Sequence, residues 1–133
     1  MMRSIQRVVI AFLGAGCVMA ALAAPGGSLI DFGIWMRAID RLSVSVQKRI
    51  EKGEVDAARK DAQRLEELYA LMETFYRQPG RPAEAAEISR QGKEFAAQVQ
   101  QDIDAGQLEA AAQNALTIAR ACNDCHDPYK PVR

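Results

Sequence analysis

Four stretches of this chain carry apolar residues at alternating steps of three and four, and each stops at a glycine or a proline. That rhythm keeps one face of a helix inward and is foreign to a strand, whose faces alternate at every residue. The first stretch is Leu29, Phe32, Met36, Ile39, Ser43, Val46 and Ile50, ending at Gly53. Ser28, with Asp31 three positions later, resembles a capping box at its start. The second is Val55, Ala58, Ala62, Leu65, Tyr69, Met72 and Tyr76, with Leu68, Leu71 and Phe75 widening the buried arc. Gln78-Pro79-Gly80-Arg81-Pro82 then breaks the chain, and Pro82 suits the first turn of a new helix. The third stretch is Ala85, Ile88, Gly92, Phe95, Val99 and Ile103, closing near Gly106. The fourth is Leu108, Ala111, Ala115, Ile118, Cys122 and Cys125, and Pro128 and Pro131 are expected to stop it.

Short connections make consecutive helices antiparallel neighbours, so the spacing predicts an all-α, up-down-up-down antiparallel four-helix bundle. A weak internal repeat agrees with two helical hairpins. Ile50, Gly53, Val55, Ala57, Ala58 and Ala62 match Ile103, Gly106, Leu108, Ala110, Ala111 and Ala115 at a constant offset. A chain of 133 residues is one domain by size. Hydrophobic residues make up 49% but aromatics only 6%, which favours closely packed, alanine-rich helices. With 17 basic and 17 acidic residues, nothing in the charge suggests a nucleic-acid partner or a polybasic membrane anchor.

The fourth helix ends in Cys122-Asn123-Asp124-Cys125-His126, the Cys-x-x-Cys-His pattern by which a c-type haem is attached. Two thiols separated by two residues can add to the two vinyl groups of one porphyrin, and the next residue's imidazole reaches the iron from the same side. His126 is the one histidine in the sequence. A structural zinc site normally takes four protein ligands, and here three good ones are present. A thioredoxin-like dithiol should open a helix beside a βαβ unit, whereas this motif closes one. The remaining reading from a different class is a helical interaction module whose cysteines form a disulfide or bind a metal.

The first residues read as an export signal. Arg3 and Arg7 form a positive n-region, residues 8–22 are apolar, and Ala21-Leu22-Ala23 offers a small-x-small cleavage site. Residues 1–23 are therefore expected to be a cleaved signal peptide, with the domain spanning 24–133 in the periplasm. The apolar run is short for a membrane span, so no stable membrane insertion is expected after cleavage. Cys17 lacks the leucine that a lipoprotein signal carries three residues before its cysteine. Loss of Arg3, Arg7 and Cys17 would leave a mature net charge of about −2 and the two motif cysteines.

A signal peptide, four helices and one attachment motif at the end of the last helix resemble the class II cytochromes c, that is, cytochrome c prime and its low-spin relatives. The ending Cys122-Asn123-Asp124-Cys125-His126-Asp127-Pro128-Tyr129-Lys130 is similar to that family's, with an aromatic and then a basic residue three and four positions after the histidine. The resemblance implies one covalent haem c, with thioethers at Cys122 and Cys125 and His126 as the proximal iron ligand. It also implies a sixth ligand from the first helix, for which Met36 is the candidate. Met72, late in the second helix, returns to the same end of the bundle, but the resemblance favours the first helix.

The expected function is a non-enzymatic periplasmic carrier of single electrons, exchanging them with other redox proteins through a His/Met-ligated haem; a homodimer is compatible with it. The alternative is a five-coordinate, cytochrome c prime-type protein that binds nitric oxide or carbon monoxide. Phe32, Trp35 and Tyr129 are candidate neighbours of the porphyrin, and Arg37 and Lys130 of its propionates. The porphyrin is expected to fill space left by Ala58, Ala62, Ala111 and Ala115.

Overall fold

Ser28 opens the first helix of the computed structural model, which describes residues 26–129. The expected signal peptide, Cys17, Lys130 and Pro131 lie outside the described residues. At Ser28 both halves of a capping box form: its side chain accepts from the Asp31 backbone N–H at 3.2 Å, and the Asp31 carboxylate accepts from the Ser28 N–H at 2.9 Å. These bonds hold the Asp31 carboxyl below its ordinary range. Helix α1 then runs Leu29–Glu51, α2 Val55–Tyr76, α3 Ala83–Asp104 and α4 Leu108–Tyr129, with no strand among the described residues.

The helices close into a ring in which α1 packs on α2 and α4, and α3 on α2 and α4, while the diagonal pairs stay apart. Side-chain pairs fix the directions. Phe32 near the start of α1 meets Phe75 and Tyr76 at the end of α2, and farther along Ser45 donates to Asp61. Gln100 donates to Glu66, and Lys93 to Glu73, so α2 and α3 are antiparallel too. The all-helical, four-helix architecture read from the spacing is thus present.

The repeat has a structural counterpart at the two glycine turns. Gly53 and Gly106 adopt left-handed φ of 74° and 71°. At the first, Gly53 N–H reaches Ile50 O and Glu54 N–H reaches Arg49 O; at the second, Gly106 N–H reaches Ile103 O and Gln107 N–H reaches Asp102 O. Both are Schellman endings.

The core departs from the expected seams in several places. Leu29 (55% exposed) and Leu71 (39%) face solvent instead of the interior. Leu29 stands at the very first turn, before α1 is fully covered, and the arc of α2 is filled by Leu68, Tyr69, Met72 and Phe75. On α3 the deepest positions are Ala85, Ser89, Gly92, Ala96, Val99 and Asp102, whereas Ile88, Phe95 and Ile103 are half-buried. Hydrophobic size favours Ile88 and Phe95 as the seam. Close approach of backbones favours small residues instead, and the bulky ones move to the flanks. Pro82 is the residue before α3 rather than part of its first turn. Helix α4 continues through Pro128 to Tyr129, so Pro128 occupies the last turn instead of following it. Its missing N–H leaves the Asp124 carbonyl without that helical donor, a single bond at a helix end with one residue still to run.

Buried polar side chains among the described residues are satisfied. Ser43 and Ser89 donate back to Ile39 O and Ala85 O, and Asp102, 5% exposed, accepts from Gln98 at 2.8 Å and Asn114 at 2.7 Å. Glu73 bridges Lys93 and Arg77, each at 2.5 Å. Its hydrogen bond to Lys93, opposed in part by burial, holds its carboxyl below the usual carboxylate range.

Candidate functional site

The end of α4 lies where the ring brings it beside the start of α1. The relative heights follow from the pairs between helices. Asp102 meets Asn114, so Cys122, two turns on from Asn114, comes level with Glu94 on α3. Lys93 meets Glu73, which carries that level to Met72 on α2, and Phe32 meets Phe75, which carries it to Trp35 and Met36 on α1. A direct contact agrees: the Tyr69 hydroxyl of α2 lies 3.7 Å from the Cys122 sulphur, reaching across the ring.

Cys122 is half-buried, is a free thiol, packs against the core and donates toward Ile118 O at 3.6 Å. Its inward placement follows the spacing that includes the fully buried Ala111, Ala115 and Ile118. Since α4 is helical through Tyr129, the backbone positions of Cys122, Cys125 and His126 stand at i, i+3 and i+4, on one side of the helix. The side chains of Cys125, His126 and Tyr129 lie outside the described residues. Met36 is half-buried and packs against the same core from α1, the helix that touches α4. Met72 is 3% exposed and is part of the core itself. No group of three or more His, Cys, Asp or Glu side chains poised for a metal occurs among the described residues.

Around this level the packing is aromatic. Phe32 stacks on Phe75 with centroids 4.7 Å apart, and Tyr76 meets both edge-on. The half-buried Trp35 ring lies over Gly27, where an added Cβ would stand 2.4 Å from Cη2. Arg37 is exposed, with its guanidinium 3.6 Å from the Cβ position of Gly33.

The four alanines are not beside the motif. Ala58 and Ala62 follow the Gly53 turn, Ala111 and Ala115 follow the Gly106 turn, and all are fully buried. They line the opposite half of the bundle, because each hairpin begins its second helix at that end. What the spacing did not reveal is Tyr69 as a neighbour of Cys122. The one available signal was Gly92, a glycine on an inward face without a turn to explain it.

The donor set fits a covalently held haem. A thiol rests against an apolar core, a second thiol and an imidazole follow at helical spacing, and a thioether stands level on the adjacent helix. The chain matches no family model, no curated protein and no solved structure.

Proposed function

We propose that this protein is a c-type cytochrome of the class II kind, a periplasmic carrier of single electrons with one haem attached at Cys122 and Cys125. The observation that supports this most directly is the level shared by Cys122 on α4 and Met36 on α1, two touching helices, with the His126 position one turn, about 5–6 Å, beyond Cys122. The haem, when attached, supplies a reversible one-electron iron couple. Cys122 and Cys125 would hold it covalently, His126 and Met36 would offer an imidazole nitrogen and a thioether sulphur to the iron, and the core around Phe32 and Ile118 would limit water. A methionine ligand favours a higher potential than a second histidine would. Neither substrate nor turnover residues are required by this role.

Production of the chain together with a haem-attachment system tests the proposal. The denatured polypeptide is expected to keep its haem colour, and a colourless one removes the cytochrome reading. The native protein is expected to be low-spin, and Met36→Leu to convert it to a high-spin form that binds carbon monoxide at a lower potential. Conversion by Met72→Leu instead would move the ligand to α2. A protein already five-coordinate and high-spin would replace the carrier with the gas-binding alternative.

A further inference from the structure

The outward face of α1 carries Ile30, Ile34, Arg37, Arg41, Val44 and Lys48 at steps of four, three, four, three and four, opposite the buried Ile39, Val46 and Ile50. Ile30 is 76% exposed, Ile34 51% and Val44 48%. Isolated exposed aliphatics need no explanation, but here they share one helix face with three cations. Those cations also differ from most arginines elsewhere. Arg49 pairs with Asp61, Arg59 with Asp104, Arg64 with Glu67, Arg77 with Glu73, and Arg90 with Glu87 and Glu94. Among the described residues, Arg37, Arg41 and Lys48 form no ion pair; Asp40 and Glu51 stand at the edge of the face, and Asp31 is engaged in the helix cap.

We infer that this face is the docking surface for an acidic redox protein whose contact patch sets an apolar area against Ile30 and Ile34 and carboxylates against Arg37, Arg41 and Lys48. The inference rests on the electron-carrier reading. Apolar contact supplies the centre of a transient interface, while unpaired cations steer an acidic partner and fix its orientation. Ile34 and Arg37 flank Met36, so a partner seated there approaches the end of the bundle that holds the attachment motif. A second copy paired two-fold through the middle of α1 would set Arg37 of each chain against Arg41 of the other, and the like charges oppose that arrangement.

An acidic blue-copper protein serves as the probe for two measurements. In the first, electron exchange between it and the haem-loaded chain is followed as a function of salt. The rate constant is expected to fall as salt rises, and Arg37→Glu with Arg41→Glu to lower it roughly tenfold or more at low salt. Lys60→Glu with Arg120→Glu makes the same change in net charge on other helices and is expected to have a much smaller effect. Ile30→Ser with Ile34→Ser should lower the rate several-fold without changing its salt slope, with an unaltered thermal melt.

In the second measurement, amide shifts of the full-length chain are followed on titration with the same probe, whether or not haem is present. Perturbation confined to residues 30–48 supports the surface. Perturbation elsewhere or none, an equal effect of the control pair, a dimer closed through α1, or preferential binding to vesicles containing anionic phosphatidylglycerol overturns it. A colourless polypeptide overturns the carrier reading alone, since the titration then scores Arg41, Val44 and Lys48, which lie toward the Gly53 end of α1 that stays packed without haem.

Discussion

A methyl group at Gly92 would stand 2.5 Å from Cε1 of the Tyr69 ring and 2.7 Å from its Cδ1, well inside contact distance. In an unconstrained helix interior, replacing glycine by alanine is worth about 1 kcal/mol of added stability. Here the ring has little room to retreat, being 6% exposed and extended toward Cys122. Gly92→Ala is therefore expected to destabilise the fold by about 1–3 kcal/mol, read as a lower midpoint in urea. In a Tyr69→Ala background the same change should become neutral or favourable. A stabilising Gly92→Ala in the native background would show that the ring does not occupy this space. The glycine was legible as an inward position, but its purpose was not, because the reason sits on another helix. Met36 differs: its inward spacing was readable from α1 alone, and the pairs between helices add the height that sets it level with Cys122.

Individual helices were legible wherever one local signal sufficed. Ser28 and Asp31 complete their capping box, and both glycine turns end their helices with the same two hydrogen bonds. At Gly53 and Gly106 an added Cβ meets nothing within 4 Å, so the only cost of substitution is the left-handed backbone. Gly53→Ala and Gly106→Ala are each expected to lower stability by about 1–2 kcal/mol, with similar shifts in the melting midpoint. A large difference between them would mean that the turns, alike in backbone, are loaded differently by their surroundings. The seam of α3 was less legible for a physical reason. Spacing finds which residues are apolar, whereas the approach of α2 selects which are small, and the two criteria disagree at Ile88 and Ser89 and at Phe95 and Ala96. Asp102 escaped notice for a related reason: Gln98 sits one turn back on the same helix, but its second amide donor, Asn114, is recognisable only once α3 and α4 are side by side.

At the scale of the whole molecule the bundle has two unlike ends. The end at the Gly53 and Gly106 turns is closed by Ala58, Ala62, Ala111 and Ala115, with Val46, Leu65 and Val99 filling the interior beyond, all fully buried. The other end holds half-buried Trp35, Met36 and Cys122 at the meeting of α1 and α4. The sequence placed the attachment motif at the end of α4, but it did not separate these halves, because all four seams share one spacing and height appears only when antiparallel helices are paired. If haem is attached as proposed, the alanine end should stay packed in the polypeptide without it, and attachment should order the other. Hydrogen exchange can resolve the two, since local opening free energies differ across a structure. Amides of residues 58–65 and 111–115 are expected to be protected to a similar degree with and without haem, whereas amides of 32–36 and the last two turns of α4 should gain protection once it is attached. Uniform gain along all four helices would show instead that the bundle opens as one unit.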